Sequence, residues 1–433
     1  MHQPRPSEQH PDEEGTDALV DGDVALVRGT ARAALAHRDF RVVWSGTLGS
    51  NVGTWMQNVV LSAFGYRLTH SAAYVSLLQF AQLGPLLFFA TPAGVLADRV
   101  DRRRLLITML LQQLVFSVLL AWLARGGNPD RTLLVVLVLI IGAGNAFTGP
   151  ALGASLPMLV PRADLAGAVS LQSFQMNASR VIGPAIGGVL YPVFGAAAVF
   201  AVNAATYLFA VASILAVRFP RRVSHEDDQK GLAQLLSGFR IAWHDALIRR
   251  ALTVIATMSF FCLTFIGLMP VLAADNLGMD VRSLSYGLLY AGFGSGAALG
   301  AMSIGTVFAQ RSKPRIVRGG LIAFAVLLTA FGLVRTPALA YPVAIALGFA
   351  YFSVVTSLST ILQQHLEDHV RGRVMALWIM GFGGTVPVGT LAAGPLADHT
   401  SITVVVLIGA AVALLLAWYG DMNGVIRAVS AGE

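Results

Sequence analysis

The sequence predicts an all-α membrane protein with twelve transmembrane helices in two pseudo-repeated bundles of six. Three observations predict it. Of 433 residues, 55% are hydrophobic and only 12% charged, about half the charged share usual in soluble proteins, and mean hydropathy is +0.68. Twelve apolar stretches are long enough to span hydrocarbon as helices. Basic residues gather in alternate loops between them.

Residues 1–36 read as a disordered cytoplasmic tail, because "MHQPRPSEQHPDEEGTD" is acidic and polar with no apolar period. It lacks the basic start and apolar core of a signal peptide. The apolar stretches follow at 42–66, 73–96, 104–124, 132–153, 167–190 and 196–217, then 250–274, 284–308, 317–334, 338–362, 373–397 and 400–420. They are too long and too uniformly apolar for barrel strands. The domains expected are bundles over 37–217 and 250–421, a cytoplasmic linker at 218–249 and a tail at 422–433.

With both termini on one side, the tails and even-numbered loops on that side hold 23 Lys and Arg besides Arg5 in the far tail, and the opposite loops hold five. That asymmetry predicts cytoplasmic termini, and the bias to arginine over lysine with abundant Ala and Gly points to a bacterial inner membrane. It also explains the net charge of +7 without nucleic acid. In the linker, Leu232, Leu235, Leu236, Phe239 and Trp243 fall on one helical face, as in a helix lying at the membrane surface. An ordinary linker helix fits the same pattern.

A shift of 211 residues relates the halves, setting Gly94 on Gly305, Arg102 on Lys313, Arg104 on Arg315, Arg162 on Arg373, Gly183 on Gly394 and Pro184 on Pro395. Parallel six-helix repeats around a midplane site are an architecture of alternating-access transporters.

The densest charge lies in "GVLADRVDRRRLL", 94–106, between the second and third stretches. Positive-inside placement accounts for its arginines but requires neither an aspartate nor a glycine. Gly94, Leu96, Ala97, Asp98, Arg99, Arg102 and Arg103 resemble the loop signature of the major facilitator superfamily, G-x-L-a-D-r-x-G-r-r. Asp101 departs from it, where the signature has glycine. The resemblance implies a gating latch formed by Gly94, Asp98, Arg99, Arg102 and Arg103, in which Asp98 meets the N-terminus of the eleventh helix when the inner ends close.

"NASRVIGPAIGG", 177–188, resembles the exporter signature g-x-x-x-G-P-x-x-G-G through Gly183, Pro184, Gly187 and Gly188. Small residues there allow close helix approach, and Pro184 a local bend. "HRDFRVVW", "NAATYL" and "RGRVMALW" look like the same enterobactin-exporter-like, drug-efflux branch, so the resemblance runs through nearly the whole chain after the tail. "GFGSGAALG", 292–300, mimics a nucleotide-binding loop, but no strand precedes it.

Intramembrane charge is the remaining signal. Arg180 lies in the fifth stretch with no Asp or Glu at comparable depth. It could attract an anionic substrate group or serve coupling, and it could equally hold helix-end carbonyls. Asn51, Gln57, Asn58, Gln79, Gln82, Asn145, Gln172 and Gln175, with Trp55, Met56, Trp378 and Met380, are the other cavity candidates. Facing one cavity they would suit a large amphipathic solute, whereas singly each is an ordinary helix–helix contact.

Nothing in the sequence reads as a nucleotide-binding, metal or catalytic site, and Cys262 stands alone. No cofactor is expected. The resemblance implies proton coupling, for which Asp39, Asp98, Asp275, Glu367, Asp368 and Asp398 are the acids near helix ends. The function expected is proton-coupled export of a drug-like or siderophore-like small molecule by a transporter embedded in the lipid bilayer. An importer and a non-transporting receptor or partner subunit are the alternatives.

Overall fold

The computed structural model describes residues 27–217, 219 and 232–421. Side chains at 90, 91, 94, 95, 97–99, 231–236, 368 and 369 fall outside that description. Every regular element described is helical. The first half holds α1 (Ala31–Ala36), α2 (Arg38–Thr69), α3 (Ala72–Leu83), α4 (Pro85–Arg99), α5 (Arg102–Ala124), α6 (Arg131–Leu159) and α7 (Leu165–Leu215). The linker forms α8 (Leu232–His244). The second half holds α9 (Ala246–Thr257), α10 (Thr264–Gly267), α11 (Met269–Asp275), α12 (Leu284–Gly305), α13 (Lys313–Leu333), α14 (Pro337–His365), α15 (Asp368–Ile379), α16 (Thr385–His399) and α17 (Ile402–Tyr419).

The helix starts are written into the sequence. Thr30, Ser71, Asp101, Asp130, Asp245, Ser283 and Ser401 each precede a helix, and each side chain accepts a first-turn backbone N–H. Asp101, the departure from the family loop, is thus the N-cap of α5. It accepts the Arg104 N–H at 2.9 Å.

Ten helical stretches are long and apolar enough to cross a membrane. One of them, Arg162–Leu215, is divided by Gly195 at φ 78°, a left-handed conformation that suits glycine. The 32-residue α2 is not among the ten, because Ser50, Asn51, Thr54, Gln57 and Asn58 dilute its apolar character.

Three expected single spans are broken. The span at 73–96 becomes α3 and α4, since Pro85 has no N–H to continue the ladder. Those at 250–274 and 373–397 are interrupted by π-helical turns, Met258–Cys262 and Met380–Gly384. Order also begins before residue 37, in the stretch read as tail. There α1 buries Ala33 and Ala34, while Gly29 N–H donates to Asp164 at 2.9 Å. Residues 1–26, 218, 220–231 and 422–433 lie outside the described residues.

The arginine-rich ends of the helices define a basic end, and the Gly195 turn marks the opposite, distal end. Two hydrophobic cores follow from this division. One joins the distal portions of the first half (Met56–Tyr66, Leu134–Ile141, Tyr191–Phe200) to the whole second half. The other, built on Phe40, Leu106, Leu156, Tyr207 and Ile214, belongs to the basic end of the first half alone. Between halves, α7 packs on α12 and α3 on α16. The linker helix α8 rests on α15, with Phe239 and Trp243 exposed.

Candidate functional site

At the basic end, the backbone of the 94–99 segment closes α4, while the side chains of Asp98 and Arg99, and the surroundings of Gly94, lie outside the described residues. The neighbouring arginines bind within their own half. Arg102 donates to the Ala154 carbonyl at 2.6 Å, and Arg103 to the Ile214 and Leu215 carbonyls at 3.3 and 2.8 Å. A cation at the C-terminal end of a helix meets unpaired carbonyls and the negative end of the dipole. These contacts brace α5 against the ends of α6 and α7 and do not reach the second half. Lys313, the repeat partner of Arg102, does the same for Ile304, Phe308 and Ala309.

The described hydrogen bonds that join the two halves lie toward the distal end. Asp398, at the end of α16, accepts the backbone N–H groups of Ala72 and Ala73 at 2.6 and 3.0 Å and the Ser71 hydroxyl at 2.6 Å. It therefore sits on the positive N-terminus of α3. Tyr66 donates to Asp275. Arg282 donates to the Tyr191 and Pro192 carbonyls at 3.3 and 3.1 Å.

Between these polar contacts the helices close on glycines. A Cβ on Gly287 would lie 2.4 Å from the Gly188 Cα, and one on Gly394 would lie 2.2 Å from the Ser76 Oγ. Gly183 and Gly187 instead face α2, where their missing Cβ atoms make room for Trp55 and Met56. Pro184 lends its carbonyl to the same seal, 2.9 Å from a Cβ on Gly287.

Just to the basic side of this seal lies Arg180. Its Cζ is 5.3 Å from the ring centroids of both Trp55 on α2 and Phe352 on α14. Phe352 meets Phe382 of the π-helical turn edge-on at 6.3 Å. Gly294 of α12 packs on the Arg180 carbonyl, so the two halves meet around this residue. Among the described residues no carboxylate lies within ion-pair distance of Arg180, and its Nε is enclosed without a hydrogen-bond partner.

The amide candidates divide. Gln57 is fully buried and accepts from Asn203 at 2.8 Å, which ties α2 to α7, and Gln79 donates to Ser62, tying α3 to α2. Each of these two joins neighbouring helices, and the Gln57 Nε2 is left without a partner. Asn58 and Gln82 are buried with unpartnered oxygens, Gln82 with an unpartnered Nε2 as well. Gln175 and Gln172 line a hollow at the basic end with Trp44 and Thr47. Asn51 and Asn145 are partly accessible, while Trp378 is buried in the second half. Sequence reasoning missed Ser71, Tyr66, Phe352 and Phe382; nothing in their spacing marks them. Asp275 and Asp398 were visible only as acids near helix ends.

A family model described as "Transmembrane secretion effector" matches residues 29–431. The staphyloferrin A transporter of Staphylococcus aureus is 26% identical over 358 residues, covering 80% of this chain and 86% of that one. The macrolide efflux protein A of Streptococcus pyogenes is 21% identical over 84% of this chain and 90% of its own. The enterobactin exporter EntS of Shigella flexneri is 28% identical over 79% and 81%. Among solved structures, the nucleoside transporter NupG superposes with a TM-score of 0.66 at 13% identity, covering 88% of this chain and 98% of its own. The inward-open xylose transporter XylE from E. coli gives 0.67 at 15%, covering 88% and 95%.

Proposed function

The chain belongs to the transmembrane secretion effector family of the major facilitator superfamily, and from that premise we propose proton-coupled export of a small molecule by alternating access. It is a transporter of the efflux branch, a multi-pass membrane protein and not an enzyme. In this reading it crosses a bacterial inner membrane twelve times, as bundles 37–217 and 250–421, with the basic end and both termini in the cytoplasm. The ten apolar stretches, the division at Gly195 and the length of α2 support the count. The export direction rests on Gly183, Pro184, Gly187 and Gly188 and on relatives named for a siderophore, macrolides and enterobactin.

The observation that carries the mechanism is the seat of Asp398 on the N-terminus of α3. Among the described residues, the hydrogen bonds that join the halves lie toward this end. A carboxylate at a helix N-terminus contributes about 0.3–1 kcal/mol when exposed, and protonation removes it. Burial opposes its charge, but the Ser71 hydroxyl and the Ala73 and Ala72 amides hold the Asp398 carboxyl below its ordinary value, so neutralising that charge loosens the distal seal and favours opening outward. The Asp98 loop is the counterpart at the other end of the same two spans, so the aspartates alternate in holding one end shut.

The test is accumulation of toxic compounds and dyes in an efflux-deficient host carrying wild type, Asp98→Asn or Asp398→Asn. Wild type should lower accumulation of at least one compound, a protonophore should abolish this, and both variants should lose most of it. If all three proteins reach the membrane and accumulation never changes, export is wrong. If efflux survives the protonophore, proton coupling is wrong.

A further inference from the structure

We propose that Arg180 is the anion-binding residue of a substrate site shared by the two halves, and that the cargo is an organic anion with a flat apolar body. The proposal rests on the reading of the chain as a transporter and names the chemistry of what it carries.

The argument starts from a cation that the fold encloses without compensation. Trp55 and Phe352 flank the guanidinium at 5.3 Å each. Such contacts contribute roughly 0.5–2 kcal/mol apiece, whereas removing an ion from water costs several kcal/mol even after relaxation. Two rings leave a deficit. A structural arginine makes it up with carbonyls, as Arg102, Arg103 and Arg282 all do. Arg180 makes no hydrogen bond to any described atom. Its Nε is sealed without a partner, while the residue as a whole remains partly accessible. A planar fork of unused donors fits a carboxylate or similar oxyanion.

The surroundings specify the rest of the ligand. Trp55, Phe352 and Phe382 are each partly accessible and place aromatic rings around the guanidinium, Phe382 edge-on to Phe352. A flat apolar body stacks there while its anionic group reaches Arg180. A cationic compound of the same shape is repelled. Trp55 and Arg180 come from the first half and Phe352 and Phe382 from the second, so the ligand makes its full set of contacts only while the halves meet here. Occupancy thereby biases the conformational equilibrium through differential contacts.

Two xanthene dyes of matched ring size test the idea, anionic fluorescein and cationic rhodamine 123, titrated by fluorescence polarisation against the purified full-length protein in nanodiscs. Wild type should bind fluorescein about tenfold or more tighter than rhodamine 123, the loss expected when a charge-assisted pair is removed. Arg180→Gln should erase the preference, Arg180→Lys should keep part of it, and Arg180→Glu should reverse it. Equal binding of the dyes to wild type, a preference for rhodamine 123, saturable binding of neither, or an Arg180→Gln affinity for fluorescein within about twofold of wild type each overturns the proposal. Should Arg180→Gln aggregate, the wild-type comparison and Arg180→Lys decide. Efflux in cells without anion preference sinks only the role of Arg180, whereas anion preference without efflux sinks only the exporter.

Discussion

Asp245 shows how one side chain serves two elements. Its Oδ1 accepts the Leu247 and Ile248 N–H groups at 2.8 and 2.9 Å, capping α9, and its Oδ2 meets the His365 ring at 2.7 Å at the end of α14. Burial works against its charge, but the Ile248 amide, His365 and the Leu247 amide prevail and hold its carboxyl below the ordinary value of 3.8. A group depressed in the folded state stabilises above its unfolded pKa, and that stability is lost as pH falls through the folded value. Asp245→Asn keeps a capping oxygen but loses the charge that meets His365, so it should lower stability near neutral pH by about 0.5 kcal/mol. The gap from wild type should close below about pH 4. Thermal unfolding of both proteins across that range checks this, and a gap that is independent of pH would discount the carboxylate.

Helix ends account for the described contacts of Arg103. Arg103 reaches the last carbonyls of α7, where a cation meets unpaired acceptors. Arg103→Gln is expected to cost about 1 kcal/mol in stability while efflux stays within about twofold of wild type. A collapse of efflux in a stably folded variant would return Arg103 to the latch. The broken elements lie elsewhere. The turns at Met258–Cys262 and Met380–Gly384 interrupt spans of the second half, and Phe382 of the second turn lies edge-on to Phe352, which flanks Arg180. π-Helical turns recur at functional sites because they redirect side chains from the regular face.

Across the molecule, the shared distal core and the separate basic-end core of the first half make the glycine seal decisive. Gly287→Ala would place a Cβ 2.4 Å from the Gly188 Cα. Backbone cannot yield as a side-chain tip can, and overpacking of this kind costs about 1–3 kcal/mol. The closed distal state bears that cost, so maleimide labelling from the distal side of a cysteine at Val59 in a Cys262→Ser background should accelerate about tenfold. An unchanged rate with unchanged thermal stability would show that the glycines do not form the seal.

Much of this was legible in the sequence, for reasons that are local. Runs of apolar residues declare spans because hydrocarbon offers the backbone no partner. Ser71, Asp101, Asp130 and Asp245 declare helix starts because a short polar side chain reaches its own first turn. Arg180 stood out because charge inside a span is expensive. The sequence by itself therefore determined the helical membrane class and singled out Arg180, but not the breaks in the spans at 73–96, 250–274 and 373–397. Only the tertiary structure decided what each polar group meets. It gave Gln57 to Asn203, Arg103 to the end of α7, Asp398 to the N-terminus of α3, and Arg180 to two rings from opposite halves. Those partners lie up to 327 residues apart, and the pairing is set by how helices pack in space, which no spacing along the chain encodes.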